Sequence, residues 1–454
     1  MPSSAIDSKL FGNLFGTARM RAVFSDERLV ERYLEVEAAL SKAQGRLGVI
    51  PQEAADEIVS RCNLDSIDFE AMEKRIQRVY YPILPLVEQL VKSCRDGLGE
   101  WSHYGATTQD IMDTALVLQL REAFGIIERE LDAISAALKS LARTYRDAPM
   151  AGRSHLQHAT PVTFGYKAAV WLSGVERCRE RLEQLKPRIL MGQFAGAAGT
   201  LASLGDKGLA VQAELCRELD LAQPPITWHT MHDSVAEVGC YLGVLTGSLA
   251  KIGTDVAFLM QTEVGEVFEP FQHGRGASST MPQKRNPVSA ELLIVAAKAV
   301  RQYTAMLLDG MIHDHERASG PWQAEWLAIP DAFIVTSTAL HQAKVMLEGL
   351  EVDTGRMRRN LDITGGLIVS EAVMMGLAPF IGRQIAHDLV YDACRTAIGE
   401  NRTLYAVLSE MPDITRHVAG KELEALCDPA NYTGQAGEMV DRMLAIAGTS
   451  EGAA

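Results

Sequence analysis

The sequence has few cysteines and no pattern among them. Cys62, Cys94, Cys178, Cys216, Cys240, Cys394 and Cys427 are odd in number and scattered, with no Cys-x-x-Cys pair. That excludes a disulfide framework and a cysteine-built zinc site, and predicts reduced thiols acting mostly as buried filler. There is no run of eighteen apolar residues, which argues against a transmembrane helix. Met1 to Lys9 is small and polar and lacks the apolar region of a signal peptide, so a cytoplasmic location is the expectation. Positive charge is scarce as well. Lys and Arg total 44 against 58 Asp and Glu, a formal net charge of −14, so no basic field holds nucleic acid or an anionic membrane. If such a chain binds an anion, it must gather its few local cations into one pocket.

What is present reads as helix. Apolar residues make up 47 % of the 454, enough for a large core, and length alone suggests two or three domains. Asp26 to Leu47 places Leu29, Val30, Tyr33, Leu34, Val36, Ala39 and Leu40 at helical spacing, and Gly45, Gly48 and Pro51 close it. Thr114 to Arg143, Tyr166 to Leu185, Val211 to Leu219, Ser289 to Leu308 and Ile329 to Leu350 repeat the pattern. Val235 to Gln261 is almost entirely apolar or small, so that helix has to be covered on most sides. Alternating, strand-like stretches are scarce. Long apolar helices predict an all-α bundle joined between subunits rather than a monomer. Glycine-rich interruptions at 192–205, 271–287 and 362–366 predict three parts: an N-terminal helical domain over 1–111, a central long-helix bundle over 112–350, and a C-terminal helical domain over 351–454.

Three segments carry polar chemistry. The first runs Gly274-Arg275-Gly276-Ala277-Ser278-Ser279-Thr280-Met281-Pro282-Gln283-Lys284-Arg285-Asn286-Pro287. Its small residues let backbone N–H groups approach an anion, Lys284 supplies a point charge and Asn286 two donors; on composition alone it is equally a mobile surface loop. The second runs from His103 to Asp110, where Thr107 and Asp110 fit a capping box at a helix start, a place that attracts carboxylates. The third, Gly152 to Pro161, holds His155 and His158; if helical, the pair shares one face and could start a metal site, but no third ligand lies nearby in sequence.

Together these segments resemble the fumarase/aspartase (class II fumarate lyase) superfamily. The first is similar to its G-S-S-x-M-P-x-K-x-N-P signature, with Ala277 in place of the glycine. The resemblance implies that Ser278 is the catalytic serine, and that Ser279, Lys284 and Asn286 meet the substrate. From the second segment it implies His103, Thr107, Thr108 and Gln109 as binding residues. The third resembles G-R-T-H-x-Q, so His155 becomes the general acid and Gln157 a substrate ligand. His313 to Ser319 resembles an acidic–Arg–Ser stretch that reaches a neighbouring subunit's site, which implicates Glu316, Arg317 and Ser319. Trp228 to Asp233 is similar to W-H-T-Q-R-D, but Met231 and His232 replace Gln and Arg.

The likeness spans about Met20 to Ala436 and is greatest to bacterial 3-carboxy-cis,cis-muconate cycloisomerases, through Arg21-Ala22-Val23-Phe24-Ser25, Gln193-Phe194-Ala195-Gly196 and Asp428-Pro429-Ala430-Asn431-Tyr432. Those enzymes often carry Trp where this chain has His155. Fumarate-releasing lyases keep the histidine. Tyr80-Tyr81-Pro82 replaces a His-Asp pair of adenylosuccinate lyases, which argues against that substrate. The resemblance implies a small di- or tricarboxylate substrate, an enediolate-like intermediate, no metal or other cofactor, and a homotetramer whose sites are shared between subunits. Lactonisation leads; fumarate release by a C–N or C–O lyase and a non-catalytic structural oligomer are the rivals.

Overall fold

The computed structural model describes residues 4–270, 276 and 278–449. It is the all-α chain expected. Helix α1, Asp26–Arg46, starts where Ser25 Oγ accepts the Arg28 N–H at 3.2 Å, with Asp26 and Glu27 beside its positive end. It stops just before Gly48, whose φ of +61° suits glycine. Five more long helices follow: α2 Thr108–Thr144, α3 Phe164–Ile189, α4 Asp233–Leu259, α5 Val288–Asp309 and α6 Pro321–Glu348. Helix α6 begins eight residues before Ile329 and continues through Pro330. The proline removes one backbone donor, and the packing of the surrounding apolar residues sustains the helix across it.

The described residues form two compact units. The first takes in Met1–Leu131, Cys178–Ala250 and Leu292–His341; the second, Asp132–Arg177, Lys251–Glu291 and Gln342–Ala454. Every change of unit along the chain falls inside a long helix. In the first unit, Tyr33, Leu34 and Leu40 of α1 pack with Ile111 and Leu118 of α2 and with Phe194. Each such buried side chain contributes about 1.5–3 kcal/mol through loss of water contact. In the second, Val373, Leu377, Val390, Leu404 and Leu408 form one cluster, and Ala151, Leu361 and Val369 belong to another.

Helix α4 is, among the described residues, the one helix long and apolar enough by length and composition to cross a membrane. Fewer than half the residues of its most apolar stretch are buried, and Val244 and Phe258 are each 46 % exposed. It also carries charge: Glu237 pairs with Arg188, and Lys251 with Asp255. The cysteines depart from expectation in part. None of the seven forms a disulfide among the described residues, but only Cys178 and Cys216 are buried and the other five are half-buried.

The second unit holds a hairpin that the periodicity did not announce. Strand β1, Pro149–Ser154, pairs antiparallel with β2, Gln157–Thr163, with a bulge between Ala151 and Arg153. His155 and His158 therefore do not share a helical face. His155 and Leu156 form the two-residue turn, at φ of +51° and +64°. A second short pair joins β3, Val267–Phe268, to β4, Glu351–Val352.

Candidate active site

In the first unit the site is built on the start of α2. Asp110 reaches back to the Thr107 N–H at 3.0 Å, as a capping box requires. The same buried carboxylate also accepts the Ala195 and Gly196 N–H groups, each at 2.9 Å, and lies 2.7 Å from His229 Nε2. It thus ties three separate segments to one helix end. Gln109, 1 % exposed, donates from Nε2 to the His229 carbonyl at 2.7 Å, and its Oε1 accepts from Arg317 at 2.5 Å. Arg317 also donates to the Ala197 carbonyl at 2.7 Å and stands 3.5 Å from Thr107 Oγ1. Thr107, Thr108, Gln109 and Arg317 are therefore brought together: hydroxyls, an amide and a guanidinium at the positive end of a 37-residue helix.

The other expected residues of this unit stand differently. His103 takes φ +57° and places Nδ1 2.6 Å from the fully buried Glu37. Burial alone would lower its pKa; the charge of Glu37 and the hydrogen bond to it outweigh that, and the pKa is raised. Ser319 turns inward on its own loop, donating from Oγ to Asp314 at 2.6 Å, and Glu316 is exposed.

Behind Gln109 lies a cluster that motif matching did not single out. His232 is 1 % exposed, with Nδ1 2.8 and 3.0 Å from the two Glu325 oxygens. Its Nε2 is 3.3 Å from Gln109 Nε2 and 3.6 Å from Asp113 Oδ2. Burial opposes the charged imidazole, but Asp113 and Glu325 prevail and push the pKa up to about 10. The only sequence signal was the departure of Met231 and His232 from the family pattern. Met231 is 66 % exposed, whereas His232 is inside.

In the second unit, Gly152 sits in the hairpin bulge, where a Cβ would meet the Thr160 carbonyl oxygen at 2.4 Å. Arg153 pairs with the buried Glu266 at 2.9 and 2.7 Å, and Asn360 donates to the same carboxylate at 2.7 Å, so the hairpin base is anchored. Its tip presents His155 and Gln157, both exposed. His158 is half-buried, and its pKa is lowered by burial and then by the Arg153 charge.

Of the signature segment, Gly274, Arg275 and Ala277 lie outside the described residues. Gly276 has φ +65°, and a Cβ there would stand 2.9 Å from the Asn286 carbonyl, so glycine is required. Asn286 donates from Nδ2 to the Gly276 carbonyl at 2.9 Å and closes the segment on itself. Ser278 Oγ accepts the Thr280 N–H at 3.3 Å and the Met281 N–H at 3.0 Å. Ser279 is exposed. The two neighbouring cations differ. Arg285 is held by Glu351, at 3.0 Å from both guanidinium nitrogens, and by the Glu269 carbonyl at 2.6 Å. Lys284 is exposed and, among the described residues, pairs with no carboxylate.

A family model described as lyase matches residues 15–301, and one described as adenylosuccinate lyase C-terminus matches 366–443. The chain belongs to the fumarate lyase superfamily. Among members of that superfamily, trans-aconitate decarboxylase 1 of Mycosarcoma maydis is 49 % identical over 444 residues, covering 98 % of this chain and 90 % of that protein. The 3-carboxy-cis,cis-muconate cycloisomerase of Pseudomonas aeruginosa is 46 % identical over 441 residues, 96 % of each. The crystal structure of 3-carboxy-cis,cis-muconate lactonizing enzyme from Pseudomonas putida aligns with a TM-score of 0.93 at 44 % identity, over 97 % of this chain and 99 % of that one. The chain is therefore a lyase or cycloisomerase of this superfamily.

Proposed function

We propose that this enzyme adds or eliminates a group beside a carboxylate of a small unsaturated tricarboxylate, through an enediolate-like intermediate, and that its reaction is lactonisation of a 3-carboxy-cis,cis-muconate-like substrate. The observation that carries this reading is Arg317 fastened to Gln109 and Thr107 at the positive end of α2, a set of donors suited to a carboxylate. The names of the two relatives support the substrate class, since both acids are unsaturated tricarboxylates.

In this proposal a carboxylate oxygen of the substrate adds across a C=C bond. The displaced electron pair settles on a neighbouring carboxylate as the enediolate, and a proton from Ser278 Oγ completes the C–H bond. Ser278 then recovers its proton from water. The two backbone N–H groups on its oxygen suit a transient alkoxide, which serine otherwise forms poorly. Lys284, which pairs with no carboxylate among the described residues, offers its charge to the developing anion, and Asn286, Thr107 and Thr108 supply donors. Ser279, Gln157, His103, Glu316 and Ser319 complete the proposed contacts in a homotetramer with sites shared between subunits. The apolar exposure of Val244 and Phe258 on α4 supports assembly. No step calls for a cofactor.

One observation favours a second reading. His155 is an exposed imidazole held at a strained turn, suited to protonating a leaving nitrogen or oxygen in fumarate release. Incubation with 3-carboxy-cis,cis-muconate, trans-aconitate and amino- or hydroxysuccinyl compounds separates the cases. Loss of the diene absorbance without fumarate supports lactonisation. Carbon dioxide from aconitate moves the assignment to decarboxylation, fumarate moves it to elimination, and silence toward all of them leaves a structural oligomer. Ser278→Ala should cut turnover by orders of magnitude with assembly intact; undiminished turnover removes Ser278 from the mechanism.

A further inference from the structure

Beside the Arg317 loop, in the first unit, the structure buries more ligating groups than the proposed reaction uses. His313 has a side chain 0 % exposed, and neither of its ring nitrogens makes a hydrogen bond of good geometry, although the backbone of His229 and Gly310 lies near enough to act on the ring. Its ring centroid lies 4.5 Å from that of His232. One Glu325 oxygen stands 2.8 Å from His232 Nδ1 and 3.9 Å from His313 Nε2. One ligating atom from each of the three residues falls within 4.8 Å of the others. Asp113 Oδ2 is also buried and unpartnered, 3.6 Å from the far nitrogen of His232, while its Oδ1 accepts from Trp322 Nε1 at 3.0 Å. Unpaired polar atoms inside a protein are costly, on the order of 1–3 kcal/mol each. One such atom, His313 Nε2, faces the Glu325 oxygen that also meets His232 Nδ1, and that place calls for an occupant.

We propose that His232 Nδ1, His313 Nε2 and a Glu325 oxygen bind a divalent cation of the zinc class, with Asp113 orienting His232 from behind. Two imidazoles and one carboxylate are the donor set that zinc, cobalt and nickel accept. Ligands about 2.0–2.2 Å from a tetrahedral ion lie roughly 3.3–3.5 Å from one another, so the separations here bracket the requirement. Coordination through Nδ1 leaves the proton on Nε2, where Asp113 takes it, the carboxylate–histidine–metal arrangement that fixes a ligand's tautomer. Gln109 Nε2, 3.3 Å from that nitrogen, already directs hydrogen to the His229 carbonyl at 2.7 Å and need not bond the ring.

On the carboxylate side of the cluster, a cavity of about 280 Å³ is lined by Asp113 and Glu325 together with Tyr33, Met112 and Trp326. The ion would join His313, ahead of Arg317, to Glu325 at the first turns of α6, and so hold both ends of the segment that presents the guanidinium. The site is distinct from the proposed reaction, which needs no metal, and it is tested without measuring turnover.

Cobalt chloride is titrated into the full-length chain after dialysis against a chelator, with visible absorption and bound ions per chain recorded. The expected result is one cobalt per chain with the intense bands of a four-coordinate nitrogen and oxygen site, displaced by zinc chloride. His313→Ala and Glu325→Gln should abolish those bands, and Asp113→Asn should weaken uptake by about ten- to a hundredfold. His158→Ala, in the other unit, should leave uptake unchanged. The spectrum of the native chain stands even if a variant fails to fold. A native chain whose cobalt keeps the weak spectrum of the hydrated ion, or a folded His313→Ala chain that takes up cobalt equally well, overturns the proposal.

Discussion

Single residues in this enzyme are distinguished mainly by whether the protein has already used up their bonding. Arg317 is partly committed to Gln109, Thr107 and Ala197, so it is pre-positioned at little further entropic cost. Arg317→Lys keeps the charge but loses the planar fork. It should raise KM about tenfold or more, with a smaller change in kcat; an unchanged KM in steady-state kinetics removes Arg317 from carboxylate binding. His103 yields a prediction in pH. Its folded pKa is raised above the ordinary 6.5, so the folded state holds the proton more tightly than the unfolded chain. That stabilisation is complete below about pH 6.5 and is lost as pH climbs through the raised folded value. Glu37→Gln should flatten this part of the stability-versus-pH curve measured by urea unfolding, whereas an identical slope in the variant would show that Glu37 does not hold the proton. Residue types were legible in sequence where a long motif named them. Their partners were not, because Asp110 meets Ala195 and His229, and Thr114 meets Gln193, only after distant segments pack.

Among the elements, the long helices were legible because apolar spacing persists over many turns, and α1 differs from its expected span only at the last residue. The β1–β2 hairpin escaped because its strands are short, one contains Pro161 and the other a bulge at Gly152, and its turn is His-Leu rather than a glycine-bearing pair. That turn stores strain. A left-handed backbone costs a residue with a side chain about 1–2 kcal/mol, and glycine adopts it freely. His155→Gly should therefore raise the unfolding free energy by up to about 1 kcal/mol while lowering activity in whichever reaction uses the imidazole. A lower melting temperature in calorimetry would show that the tip is not strained. Gly152→Ala works in the opposite direction, since its Cβ has no room beside Thr160.

For the whole molecule, the apolar exposure of α4 argues for partners of its own kind. Val244 and Phe258, fourteen positions apart, recur close to one face of that helix. The double variant Val244→Asp with Phe258→Asp should reduce the mass seen in sedimentation to that of a smaller assembly or single chain while helical content persists. An unaltered sedimentation coefficient would mean that α4 is not a subunit contact. The long apolar helices raised the expectation of assembly, and the number and geometry of any such assembly would depend on surfaces gathered from several helices.

The passage of the backbone from one unit to the other within helices, at five places, bears on how the protein is made. Neither unit is a continuous stretch that a ribosome could release and let fold in turn. The first lacks its last segment, Leu292–His341, until His341 has emerged, and by then much of the second has already been synthesised. Truncations at loop positions should accordingly give aggregates rather than stable fragments, and the nascent enzyme must wait, largely unfinished, until His341, about three quarters of the way along the 454 residues, has been translated.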